Sequence, residues 1–127
     1  MKLPLFETPV QAGFPSPAED IIERKLDLHE LLIRHPASTF FVRASGSSMK
    51  DAGITSGDLL IVDRAEPARD GAIVVAIVSG EFTVKRLRKE NGVFFLMPEN
   101  KKFPPIEVTE DCEIWGVVTF VIHKCTP

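Results

Sequence analysis

The hydrophobic rhythm of this chain changes once. Up to about residue 37 the apolar positions fit an irregular arm and two short helices; from Ser38 onward they alternate at the two-residue period of β-strands. Strands are predicted over 39–44, 58–63, 71–78, 81–88, 93–97 and 113–123. Ser79-Gly80 and Asn91-Gly92 are turn signals between consecutive runs and predict an up-and-down set of hairpins. Ile73-Val-Val-Ala-Ile-Val78 is apolar on both faces, as a central strand is. The apolar final run, Ile114 to Ile122, offers a surface or an edge for self-pairing. Met49 to Gly53 reads as a helical turn, and Pro98 to Pro105 as a surface loop dominated by Pro and Lys.

Residues 1–12 carry Pro4 and Pro9 and no sustained periodicity, which predicts a mobile or extended arm. Ser16-Pro17-Ala18-Glu19 has an N-cap Ser, Pro at the first helical position and Glu in the capping-box position, so a helix is expected from about Pro17 to Arg24. Asp27-Leu-His-Glu30 repeats the capping pattern, with Leu26 and Leu31 placed as a hydrophobic staple. This second helix should run through Ile33 and stop before Pro36, and Leu28, Leu31 and Leu32 give it an apolar face for the core. The expected fold is mainly β: a domain of hairpins over 16–127, with short N-terminal helices and an extended arm over 1–15.

At 127 residues with 44% hydrophobic content, the chain fits one domain with a real core. It contains no apolar run approaching the roughly 18 residues a membrane-spanning helix needs. Its start lacks a long apolar segment and carries Pro4 early, which predicts no signal peptide and a cytoplasmic protein. The net charge of −3 argues against a non-specific nucleic-acid binder. The basic cluster Lys85-Arg-Leu-Arg-Lys89 approaches the Glu90-Asn91-Gly92 turn and fits a solvated hairpin end. Cys112 and Cys125 are expected reduced. His29, His35 and His123 share no ligand spacing with the cysteines, so no metal and no cofactor is expected.

Two stretches carry candidate chemistry. Phe41-Val-Arg-Ala-Ser-Gly-Ser-Ser-Met-Lys50 ends a strand in a small polar bend and leaves the Ser48 hydroxyl at its tip, with backbone N–H groups free to face a substrate oxygen. It is not the Gly-x-Ser-x-Gly elbow of α/β-hydrolases, and a Ser in such a bend is ordinarily a turn residue. In Gly80-Glu-Phe-Thr-Val-Lys-Arg-Leu87, alternation puts Thr83, Lys85 and Leu87 on one face. A lysine held among apolar groups loses hydration and becomes available as a neutral base for a serine, with no His or Asp required. Spacing alone equally allows an edge-strand lysine that blunts aggregation. Asp58 and Asp63 fit turn hydrogen bonding at strand ends, and Trp115 with the Phe40-Phe41 and Phe94-Phe95 pairs fits core or interface packing.

Three segments, Gly46-Ser-Ser-Met-Lys-Asp-Ala-Gly-Ile54, Gly57-Asp-Leu-Leu-Ile-Val-Asp63 and Gly80-Glu-Phe-Thr-Val-Lys85, resemble the signatures of the LexA/UmuD family of self-cleaving serine peptidases. The resemblance runs from about Val10 to His123. It implies Ser48 as nucleophile, Lys85 as general base, the backbone N–H groups of Ser47 and Ser48 as the oxyanion hole, and Ala12-Gly13 as the cleavage site. It further implies a homodimer, activation by RecA filaments on single-stranded DNA, and a UmuC-like Y-family DNA polymerase as partner of the cleaved form. About twelve residues precede the cleavage site, too few for the helix-turn-helix that LexA and phage repressors carry, so no sequence-specific DNA binding is expected. Ala12 stands where the best-known UmuD has Cys and is what LexA carries. The rival readings are a non-catalytic partner-binding module of the same fold and a truncated LexA-like repressor core.

Overall fold

A computed structural model describes residues 1–6 and 23–127. Ala12, Gly13 and the expected helix from Pro17 lie outside the described residues, except for that helix's last positions. Glu23 and Arg24 are strand, which corrects the expected end of the helix. The described residues form two compact units, Met1–Arg34 and His35–Pro127.

In the first unit, β1 (Lys2–Phe6) pairs antiparallel with β2 (Glu23–Asp27), with Leu5 opposite Arg24 and Phe6 opposite Glu23. The first half of the expected arm is thus extended and hydrogen-bonded into a ribbon, a pairing between distant segments that local periodicity does not register. Helix α1 (Leu28–Leu32) follows directly. Its cap is the predicted one: the Asp27 carboxylate accepts from the N–H groups of His29 (3.0 Å) and Glu30 (3.3 Å). The expected core face is not formed, because this five-residue helix buries none of its residues and leaves Leu28 and Leu31 exposed.

The second unit is a seven-stranded antiparallel sheet of β3 (Thr39–Arg43), β4 (Leu59–Asp63), β5 (Ile73–Val78), β6 (Glu81–Glu90), β7 (Val93–Met97), β8 (Ile106–Glu107) and β9 (Cys112–Ile122), in the order β3-β4-β9-β5-β6-β7-β8. From β5 to β8 it is the up-and-down meander that the turn signals predict. Asn91 (φ 51°) and Gly92 (φ 79°) both take the left-handed conformation that a tight hairpin needs. The last strand breaks the meander. With 11 residues, β9 is long enough to pair with β4 through one half and β5 through the other. In the sheet order it stands between β4 and β5, each half paired along one side, and Phe120, Val121 and Ile122 of the run expected to offer a surface or an edge keep partly exposed side chains.

Two apolar clusters lie on the two faces of β5. Val75 joins Met49, Ile54, Leu60 and Val62, while Val74 and Ala76 join Leu87 and Leu96. Each fully buried aliphatic side chain contributes on the order of 1.5–3 kcal/mol. Along β9 the pairing leaves out Thr119 opposite β4 and Trp115 opposite β5, and such bulges re-aim the strand. Trp115 thereby packs against Phe40, ring centroids 4.3 Å apart, and lies under the Arg64 guanidinium.

Buried aspartates pin β4 at its ends. Asp58 accepts from the Thr55 N–H (2.9 Å) and from His123 Nδ1 (2.5 Å). Asp63 accepts from the Ala65 N–H (2.8 Å), the Ser38 hydroxyl (2.9 Å) and His35 Nδ1 (2.6 Å). The turn role expected of both acids is present, with a histidine added to each. The Thr55 N–H, then His123, holds the Asp58 carboxyl below its ordinary range. At Asp63 burial pushes upward, but the hydrogen bonds from His35, Ala65 and Ser38 together outweigh it and the carboxyl is also lowered.

Two outcomes follow. A Cβ on Gly116 would stand 2.6 Å from Val62 Cγ1, so Gly116→Ala should cost about 1–3 kcal/mol in a denaturant melt. Unchanged stability would contradict the close approach of β9 to β4. Depressed carboxyl pKa values stabilise the fold above the unfolded value of about 3.9 and cease to do so as pH falls through the folded values. The Tm should therefore fall on acidification below about pH 4, and less steeply in an Asp58→Asn, Asp63→Asn double variant. Parallel curves would contradict the anchoring role.

Candidate active site

The bend after β3 is held from both sides. The Ala44 N–H donates to the Asp58 carbonyl (2.8 Å) and the Gly57 N–H to the Ala44 carbonyl (2.8 Å), tying the bend's entry to the approach to β4. Gly46 turns the chain at φ 83°, a conformation that costs most other residues strain. Met49, 3% exposed, drives the far side of the bend into the core beside Ile54 and Leu60. The predicted helical turn follows as a single 3-10 turn, Lys50–Ala52, closed by left-handed Gly53. Ser48 is left half-buried between the buried Met49 and the exposed Ser47.

Lys85 comes from the opposite direction. It lies on β6 across from Val74, which is fully buried, and is itself 8% exposed. β7 joins β6 only from Arg86 onward, so Lys85 is paired along one side, but its burial does not fit a solvated edge lysine. Lys85 Nζ donates to Ser48 Oγ at 3.0 Å, to Thr83 Oγ1 at 2.7 Å and to the Val84 carbonyl at 3.2 Å. These acceptors occupy all three donor directions of an ammonium. Burial nevertheless favours the neutral amine and lowers the Lys85 pKa from its ordinary value. Once neutral, the nitrogen presents a lone pair, and the Ser48 hydroxyl can donate to it.

The Ser48–Lys85 contact lies between two hollows. One, of about 220 Å³, is lined by Val42, Ala44, Ser48, Met49 and Val75. The other, of about 320 Å³, is lined by Val78, Thr83, Lys85, Phe103 and Ile106. Phe82 borders both, is 62% exposed, and meets Trp115 edge-on at 5.0 Å. An extended peptide laid across Ser48 would find a hollow of mixed polarity on one side of the hydroxyl and a more apolar one on the other.

The remaining candidates fall elsewhere. The basic cluster divides, with Lys85 buried, Arg86 bonded to Glu99 and the Gly71 carbonyl, and Arg88 and Lys89 exposed toward the hairpin end. Cys112 and Cys125 are free thiols. Donor atoms of His35, Asp63 and Glu66 lie within 4.8 Å of one another, but the Asp63 carboxylate already accepts three hydrogen bonds. Sequence reasoning missed Asn100, which is 5% exposed and donates to the Ser47 carbonyl at 2.8 Å. A buried amide inside a Pro- and Lys-rich loop carries no signal in local pattern.

Comparison with known proteins is consistent along nearly the whole chain. The model of the peptidase S24-like family matches residues 4–119. The chain is 52% identical over 121 residues to Protein SamA of Salmonella typhimurium, covering 95% of this chain and 85% of that one. It is 49% identical over 120 residues to Protein MucA of Escherichia coli, covering 92% and 82%. The LexA repressor of Clostridium perfringens is 42% identical over 107 residues, 84% of this chain but 52% of that protein. Among the described residues no helix is long and apolar enough to cross a membrane.

The electrostatics of the site can be checked directly. An NMR titration of Lys85 Nζ in the intact chain should give a midpoint below the free-lysine value of about 10.4. A midpoint at or above that value would show that the amine is solvated.

Proposed function

The chain belongs to the peptidase S24-like family, and we propose that it cleaves itself after Ala12 with Ser48 as nucleophile and Lys85 as general base. The observation that carries this reading is the 3.0 Å contact between a half-buried hydroxyl and a nearly buried, desolvated amine. That separation is within the range for direct proton transfer.

The chemistry follows from the groups present. Neutral Lys85 takes the Ser48 proton as Oγ attacks the Ala12 carbonyl carbon, and the N–H groups of Ser47 and Ser48 hold the oxyanion. Each such donor contributes on the order of 3–4 kcal/mol. The tetrahedral intermediate collapses as the Lys85 ammonium gives its proton to the Gly13 nitrogen, which leaves as the amine of a new N-terminus, with residues 1–12 held as an ester on Ser48. Water, deprotonated by the same amine, then hydrolyses the ester. Thr83 accepts from Lys85 Nζ and holds its head at the hydroxyl through both steps.

In the cell, the reading places this chain in the SOS response to DNA damage. Residues 1–15 act as the cleavable arm and 16–127 as the peptidase domain. The protein works as a cytoplasmic homodimer, a RecA filament on single-stranded DNA stimulates cleavage, and the shortened form joins a UmuC-like Y-family polymerase in translesion synthesis. What supports this is the likeness to SamA, MucA and LexA over most of the chain.

Ser48→Ala and Lys85→Ala should each abolish self-cleavage while leaving the Tm near that of the parent. The readout is loss of residues 1–12 by mass spectrometry after incubation at alkaline pH. Normal processing of either variant would overturn the dyad. An unprocessed parent chain would favour a non-catalytic binding module instead.

A further inference from the structure

The loop between β7 and β8 grips the Ser48 bend at two points. Asn100 Nδ2 donates to the Ser47 carbonyl at 2.8 Å, and the Glu99 carbonyl accepts from the Asp51 N–H at 2.8 Å. The Asn100 side chain is fixed at its other end too, where Oδ1 accepts from the Lys102 N–H at 3.1 Å. Its main-chain carbonyl accepts from the Phe103 N–H at 3.1 Å. Glu99 is in turn bonded to Arg86, the strand neighbour of Lys85. The loop that orients the hydroxyl's peptide is therefore fastened to the strand that carries the amine.

We propose that Asn100 is a positioning residue for the self-cleavage reaction, fixing the Ser47–Ser48 peptide so that the Ser48 N–H faces the oxyanion. This inference rests on the Ser48–Lys85 reading. In a planar trans peptide the carbonyl and the following N–H point in opposite directions, so holding the Ser47 oxygen sets the direction of the Ser48 N–H. A hydrogen bond to that carbonyl also polarises the peptide and strengthens its N–H as a donor. The other bond on the Ser47 oxygen comes from the Lys50 N–H at 3.3 Å, which is longer and belongs to the same bend, so it moves with the peptide it would have to fix. Asn100 supplies the anchor from outside the bend.

The test uses the full chain with Asn100→Ala and Asn100→Asp. The Asp variant keeps the side chain's shape and its acceptor for the Lys102 N–H, but turns an oxygen toward the Ser47 carbonyl. Two rates are read: the alkaline plateau of self-cleavage, and phosphorylation of Ser48 by diisopropyl fluorophosphate. In the second reaction Oγ bonds to phosphorus, fluoride leaves, Lys85 takes the proton, and no arm is required. Loss of an oxyanion donor typically costs about 10²–10³ in rate, so misdirecting one should slow both reactions at least about tenfold, and more in the Asp variant. In Asn100→Ala the pH midpoint of each should stay that of the parent, since Lys85 is untouched and no charge is added, whereas the carboxylate of Asn100→Asp raises it and that variant is compared on its plateau rate alone. Rates within about threefold of the parent would overturn the proposal. So would a fall in Asn100→Ala accompanied by a midpoint moving toward free lysine, which would mean that Asn100 acts through general packing. If Asn100→Ala melts below the assay temperature, the Asp variant decides. A parent that labels but does not cleave, with labelling slowed in the variants, would sink self-cleavage and leave the positioning role standing. A parent that does neither would sink both.

Discussion

The site depends on one unfavourable placement, an amine set where much of its hydration is lost. Lys85 is 8% exposed on β6, opposite a fully buried valine. An ammonium there would lose much of its hydration, and its three acceptors, Ser48, Thr83 and the Val84 carbonyl, offset only part of that loss. Lys85 is therefore drawn toward the neutral form, the form a serine needs as its base. On the proposed reading, the same burial that weakens the lysine as a cation makes it useful, and no histidine is required to complete the pair.

The rest of the fold can be understood as holding that amine against one hydroxyl. The β5–β6 register sets Lys85 opposite the buried Val74, and β7 takes up the pairing from Arg86 onward. The Ser48 bend reaches it because Met49 is locked in the core and Ala44 is tied to Asp58. Asp58 is in turn bonded to Thr55 and His123, so the end of β4 nearest the bend is anchored through a buried carboxylate. On the far side, the bulges of β9 send Trp115 toward Phe40 and Phe82, which shapes the border of both hollows. A change in any of these supports would alter the Ser48–Lys85 contact through geometry, without touching either side chain.

How much of this was legible in the sequence depended on the range of the interaction. Six strands were found within about two residues of their ends, because alternation is local and each strand has one or two buried faces. The type of turn at Asn91-Gly92 and the cap at Asp27 were legible for the same reason. Long-range pairing was not: the β1–β2 ribbon and the insertion of β9 between β4 and β5 join segments that no local period relates. The helix from Leu28 was correctly placed, yet its apolar stripe overstated burial. At the site, Ser48 and Lys85 could be named from their segments, and their distance is a matter of topology alone. Asn100 stayed invisible because a polar residue in a polar loop looks the same whether it faces solvent or a carbonyl 53 positions away in sequence. The histidines beside Asp58 and Asp63 were hidden likewise.

The central claim is that a buried neutral lysine activates the serine, and the dependence of rate on pH tests it most directly. First-order rates of self-cleavage of the purified chain should be measured across a pH series without any activator. The account predicts a rate that rises with a single deprotonation and levels off, its midpoint coinciding with that of the Lys85 amine under the same conditions. A flat profile, or one centred near about 6.5 as a histidine base would give, would contradict it.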